Sequence, residues 1–94
     1  MAQKNITMFG KKMVLLEEPG DGNWNYYVSE DREETYYIVN EQGAHDGCVS
    51  GWFGSIEYYI HFKYQECRND IVKLQKLRDS LEAASIDHKK WYWL

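Results

Sequence analysis

The chain has 94 residues, a length that suits one domain; 44% of them are apolar and 28% are charged. This balance excludes a wholly disordered chain, and two cysteines are too few for a disulfide-rich scaffold. No apolar run reaches the roughly 18 residues that a membrane-spanning helix needs. We therefore expect a single soluble, cytoplasmic domain over residues 1–94 that contacts no membrane.

The first forty residues predict an antiparallel β-meander. Residues 6–9 and 12–17 flank Gly10-Lys11, a two-residue connection whose leading glycine suits a type II′ hairpin. Two further strands are predicted at 24–29 and 35–40, where aromatic and β-branched residues alternate.

Residues 41–55 contain four glycines and no regular period, so we expect a long loop. Trp52 and Phe53 lie between two of these glycines. The pair either fills the core or forms an exposed hydrophobic tip. In the second case Trp52 and Phe53 are candidate partner-binding residues.

Residues 56–64 fit two structures. As a strand, the segment alternates apolar and polar residues, and its β-branched and aromatic content favours this interpretation. As the start of a long helix, it would be capped by Ser55 and its apolar stripe would continue into the next segment. We adopt the strand.

Residues 66–85 follow a helical period. Their apolar side chains recur at spacings of three and four and form one face: Ile71, Leu74, Leu77, Leu81 and Ala84. An aromatic tail follows at 86–94. The predicted fold class is α+β, an antiparallel β-meander of four to five strands within residues 1–65, with one C-terminal amphipathic helix packed on one face.

Two groups of residues have the chemistry of a reactive or metal site. His45 and Cys48 pair a base with a thiol, but adjacency in sequence is weak support for a thiol enzyme. With Cys67 and His88 they would complete a Cys2His2 zinc set, although zinc sites usually show two tight pairs. We therefore expect no catalytic residues, no metal and no cofactor, and keep the thiol enzyme as a third hypothesis.

The charge distribution is the strongest functional signal. Between residues 17 and 46, nine acids oppose one base, a net charge of −8: Glu17, Glu18, Asp21, Glu30, Asp31, Glu33, Glu34, Glu41 and Asp46 against Arg32. Such a segment repels phosphates, so we expect no direct nucleic-acid binding. It suits the basic surface of a protein that itself binds nucleic acid.

The predicted partner-binding residues combine these acids with neighbouring rings. The carboxylates of Glu30, Asp31, Glu33 and Glu34, together with Asp21, would steer the encounter with the basic surface. Trp24, Tyr27 and Tyr36 would supply desolvated contacts, because aromatic side chains dominate interface energetics.

In its size, its acidic block, its 16% aromatic residues and its lack of a catalytic motif, the chain resembles small phage-encoded inhibitors. Anti-CRISPR and anti-restriction proteins are the nearest such class. The resemblance covers general character and carries over no individual residue. It implies evasion of host defence through stoichiometric binding to a nucleic-acid-handling host complex, either by DNA mimicry or by holding the complex inactive.

The alternative function is that of a self-associating structural domain, a homodimer formed through its aromatic surface and the Trp91-Tyr92-Trp93 tail.

Overall fold

The computed structural model describes residues 4–17, 24–40 and 48–87. Within these ranges, five strands precede two helices: β1 (Asn5–Met8), β2 (Lys11–Leu15), β3 (Trp24–Ser29), β4 (Glu34–Asn40), β5 (Cys48–Ser55), α1 (Ile56–Cys67) and α2 (Ile71–Ala83). The strands form one antiparallel sheet whose spatial order follows the chain. This confirms the α+β class and the antiparallel meander.

The first hairpin turns one residue earlier than predicted. Met8 pairs with Lys11, so Phe9 and Gly10 are the connecting residues. Their φ angles are 55° and 73°, and a type I′ turn requires positive φ at both central positions. The predicted type II′ turn at Gly10-Lys11 is therefore wrong.

Residues 48–55 form a strand, so the long loop predicted at 41–55 is wrong for this part. The glycines there serve the close approach of aromatic rings. A Cβ added to Gly51 would lie 2.8 Å from the Tyr37 hydroxyl, and one added to Gly54 would lie 2.6 Å from Tyr58 Cδ2. Residues 41–47 lie outside the described residues.

The strand predicted at 56–64 is also wrong, because this segment belongs to helix α1. Ser55 caps the helix, and its Oγ accepts a hydrogen bond from the Tyr58 amide at 3.2 Å. The buried positions recur at helical spacing: Ile56, Tyr59, Ile60, Lys63 and Cys67. Burial on the helical period therefore outweighs the β propensity of these side chains.

The domain has two helices where one was predicted at 66–85: α2 lies within that range, and only the last two residues of α1 reach into it. Asp70 interrupts it with extended backbone, φ −127° and ψ 102°, and its carboxylate accepts from the amides of Val72 and Lys73. The predicted apolar face is only partly correct. Leu77, Leu81 and Ala84 are buried, but Ile71, in the first turn of α2, is 83% exposed.

Buried side chains form two clusters. The larger joins residues of the sheet to both helices: Leu16, Tyr26, Val28, Ile56, Tyr59, Ile60, Cys67, Leu77, Leu81, Ala84 and Ile86. The smaller consists of Met13, Tyr27 and Tyr36, packed against further strand residues. Because Tyr26 and Tyr27 are adjacent on β3, the clusters lie on opposite faces of the sheet. No helix in the described ranges is long and apolar enough to cross a membrane.

Candidate protein-binding site at the acidic end of the domain

The turn between β3 and β4 is built by hydrogen bonds around Asp31. Its Oδ1 accepts from Ser29 Oγ and, at 3.0 Å, from the Glu33 amide. The Glu34 amide in turn donates to Ser29 Oγ at 3.1 Å. These bonds lower the pKa of the Asp31 carboxyl, chiefly through the Ser29 hydroxyl, and keep it ionised.

Arg32, the one base of the acidic segment, binds backbone carbonyls. Its Nε donates to Ala84 O at 2.6 Å and one terminal nitrogen donates to Glu30 O at 2.8 Å. In the described part of the chain no ion pair joins it to a carboxylate. Its φ of 62° is the left-handed conformation that directs the guanidinium inward from the turn.

The same turn attaches both helices. The Ile56 amide at the start of α1 donates to Glu33 O at 2.8 Å, and Arg32 holds the carbonyl of Ala84, just after α2. The start of α1 and the chain around the end of α2, both of which carry further acids, therefore lie beside this turn. We call the acids of these three segments the acidic end: Glu30, Asp31, Glu33, Glu34, Glu57, Glu82 and Asp87.

The sequence analysis missed Glu57, Glu82 and Asp87. The charge of the helices looks balanced along the chain, and only the contacts of the turn with Ile56 and Ala84 bring these acids to it. Lys11 and Lys12 lie nearby, since the Glu30 amide donates to Lys12 O at 3.1 Å.

Trp52 adds an aromatic surface to the acidic end. Its Nε1 donates to Glu34 Oε2 at 2.6 Å, and its side chain is 60% exposed. Phe53 points the other way and packs on Tyr26, with ring centroids 5.0 Å apart. Of the two alternatives for this pair, core filling therefore describes Phe53 and the exposed position describes Trp52.

The other predicted anchors lie elsewhere. Tyr27 and Tyr36 are only 2% and 7% exposed and belong to the smaller core cluster, so they offer a partner little surface. Trp24 is 40% exposed but lies at the opposite end of β3 from the turn, about 17 Å away at 3.3 Å per residue. Asp21 lies outside the described residues.

The residues considered for thiol or metal chemistry are largely beyond what the structure describes. His45 and His88 lie outside the described residues, as does the side chain of Cys48. Cys67 is buried, and this burial raises the pKa of its thiol, which disfavours the nucleophilic thiolate. The described residues contain no group of three or more potential metal ligands.

No protein-family model matches this sequence, and comparisons with curated proteins and with solved structures found no match.

The lowered pKa of Asp31 gives a pH-dependent expectation. Because the folded-state pKa lies below the unfolded value, the stabilisation is present above about pH 4 and is lost as the pH falls through the folded-state pKa. Ser29→Ala removes the largest cause, so the pKa of Asp31 should rise. NMR titration of the Asp31 carboxyl measures both values, and an unchanged pKa in the variant would contradict this account.

Proposed function

We propose that this protein is a non-catalytic inhibitor whose acidic end binds a basic surface of a nucleic-acid-handling protein or complex. The supporting observation is the pair of hydrogen bonds, Arg32 Nε to Ala84 O and Ile56 N to Glu33 O, that holds the acid-bearing start of α1 and end of α2 beside the acidic turn. A phage anti-CRISPR or anti-restriction inhibitor, acting in the cytoplasm of the host cell, is the class of protein proposed.

The arrangement suits both stages of binding. Glu30 and Glu33 are exposed, and no ion pair within the described ranges neutralises either carboxylate. Their field steers a basic partner and raises its association rate. Trp52, already orientated by Glu34, supplies the aromatic contact that slows dissociation once it is desolvated.

The partner can be identified and its site tested in one experiment. The immobilised protein is exposed to lysate of a host cell, and retained proteins are eluted first with duplex DNA and then with salt. If the protein mimics DNA, duplex DNA should elute one nucleic-acid-binding complex. Elution by salt alone supports an acidic contact outside the DNA-binding surface, and retention insensitive to both contradicts the proposal.

Neutralising the exposed acids should weaken this binding. Glu30→Gln with Glu33→Gln is expected to lower affinity for the captured complex about tenfold, mainly through a slower association rate, because two steering charges are lost. Surface plasmon resonance at two salt concentrations measures the effect, which should shrink at the higher one.

A matched control separates local from total charge. Gln65→Lys with Asn69→Lys changes the net charge by the same two units at exposed positions near the far end of α1. This variant should retain its affinity within about twofold if the acidic end is the contact. Equal losses in both variants would show that total charge, and not the acidic end, governs binding.

Self-association is the second candidate, favoured by aromatic exposure on the sheet. Phe9 and Trp52 are 59% and 60% exposed, and both lie beside Tyr36. The Phe9 and Tyr36 ring centroids are 5.6 Å apart, and Trp52 is the residue of β5 that pairs with Tyr36. Exposed aromatic groups of this kind are typical of interfaces. Recovery of only a salt-resistant homodimer in the lysate experiment would favour this function over the inhibitor.

A further inference from the structure

A groove of about 910 Å³ lies between the end of β2, the C-terminal half of α1 and α2. Its floor is apolar: Leu16 and Leu77 are buried there, and Val14 is half-buried. The volume lies in the range of pockets that hold small organic ligands. None of its lining residues belongs to the acidic end.

One buried lysine lies between two of the carboxylates that line the groove. Lys63, only 6% exposed, places Nζ 3.3 Å from Glu17 Oε1 and 3.6 Å from Glu66 Oε1. The same ammonium lies 4.5 Å from the centroid of the Tyr26 ring, a cation–π contact. Glu17 and Glu66 therefore share one cationic partner, and the lining as a whole holds four lysines against three acids.

Three further lysines line the groove: Lys4, Lys73 and Lys76. All three are exposed, and within the described ranges no ion pair joins them to a carboxylate. The remaining acid of the lining, Asp79, accepts a hydrogen bond from Gln75 Nε2 at 2.9 Å. The groove thus combines an apolar floor with an excess of cationic side chains at its edge.

We propose that this groove binds a single-chain amphiphilic carboxylate, of the fatty-acid class. The hydrocarbon chain would lie against Val14 and Ala83, the apolar lining residues that keep exposed surface, and the carboxylate would pair with Lys73 and Lys76. Apolar burial supplies the affinity, and the lysines select the sign of the head group. The groove is separate from the acidic end, so this proposal does not depend on the proposed inhibitor function.

Three probes below their micelle-forming concentrations test the two halves of this proposal by calorimetry: dodecanoate, dodecyltrimethylammonium and acetate. Dodecanoate should bind saturably. The cationic amphiphile has the same chain with the opposite head charge and should bind at least about tenfold more weakly. Acetate lacks the chain and should neither bind nor compete. Equal binding of the two amphiphiles, or no binding of dodecanoate, would overturn the proposal.

Paired variants locate the site. Lys73→Gln with Lys76→Gln should weaken dodecanoate binding about three- to tenfold, whereas Lys11→Gln with Lys12→Gln removes the same charge outside the groove and should change it by less than about twofold. Equal weakening in both lysine pairs would contradict this location.

Discussion

Replacing Leu81 by alanine should lower the free energy of unfolding by about 2–5 kcal/mol. Leu81 is fully buried in the larger core cluster, where it lies among residues of the sheet and of α1. The substitution loses apolar burial and leaves a cavity that the packed neighbours cannot fill. A loss of this size is a large fraction of the stability of a small domain.

Urea denaturation followed by circular dichroism measures the change, with an unaltered slope expected if only stability is affected. Ile71→Ala is the matched control, because it removes an aliphatic side chain from the same helix at a position that is 83% exposed. Its effect should stay within about 0.5 kcal/mol. Similar effects of the two substitutions would mean that α2 does not pack as described.

The strands that the sequence predicted correctly are those whose side chains alternate between the two faces of the sheet along a short segment. On β3, Tyr26 and Val28 belong to one core cluster and Tyr27 to the other, as the alternation at 24–29 requires. The β4 strand follows the same rule, with Tyr36 and Tyr37 packed against opposite clusters. Such a pattern is local, so it can be found without knowledge of tertiary contacts.

The segments predicted wrongly are those where the pattern depends on distant residues. Residues 56–64 alternate like a strand, but Tyr59 and Ile60, which are adjacent, are both fully buried. The residues on either side of this pair, 57, 58, 61 and 62, are all exposed, so burial follows one side of a helix. Likewise, Gly51 indicates a loop when only the sequence is considered. In the structure, the Tyr37 ring from β4 occupies the space that a side chain at Gly51 would need.

The acidic end illustrates the same limit for function. Glu30 and Glu33 could be selected from sequence because they cluster along the chain. Glu57 and Asp87 could not, because they join the turn only through Ile56 and Ala84, which are hydrogen-bonded to it. Trp52 was selected for its exposure, yet its hydrogen bond to Glu34 depends on the register of β5.

Replacing Lys63 by methionine should lower the free energy of unfolding by about 2–3 kcal/mol. Methionine preserves much of the apolar stem, so the loss arises mainly from the charge. Removal of the ammonium leaves the Glu17 carboxylate, 21% exposed, without its cation at 3.3 Å, and removes the contact with the Tyr26 ring. A buried charge without its partner costs more than the intact pair contributes.

A double variant tests whether the loss of this cation from Glu17 is the cause. Adding Glu17→Gln to Lys63→Met removes the uncompensated charge and should recover at least about 1 kcal/mol of the loss, measured by urea denaturation. Glu66→Gln alone should cost less than about 1 kcal/mol, because that side chain is 47% exposed and water screens its interaction with Lys63. If the double variant were no more stable than Lys63→Met alone, the packing of the lysine stem, and not the ion pair, would be what stabilises this part of the domain.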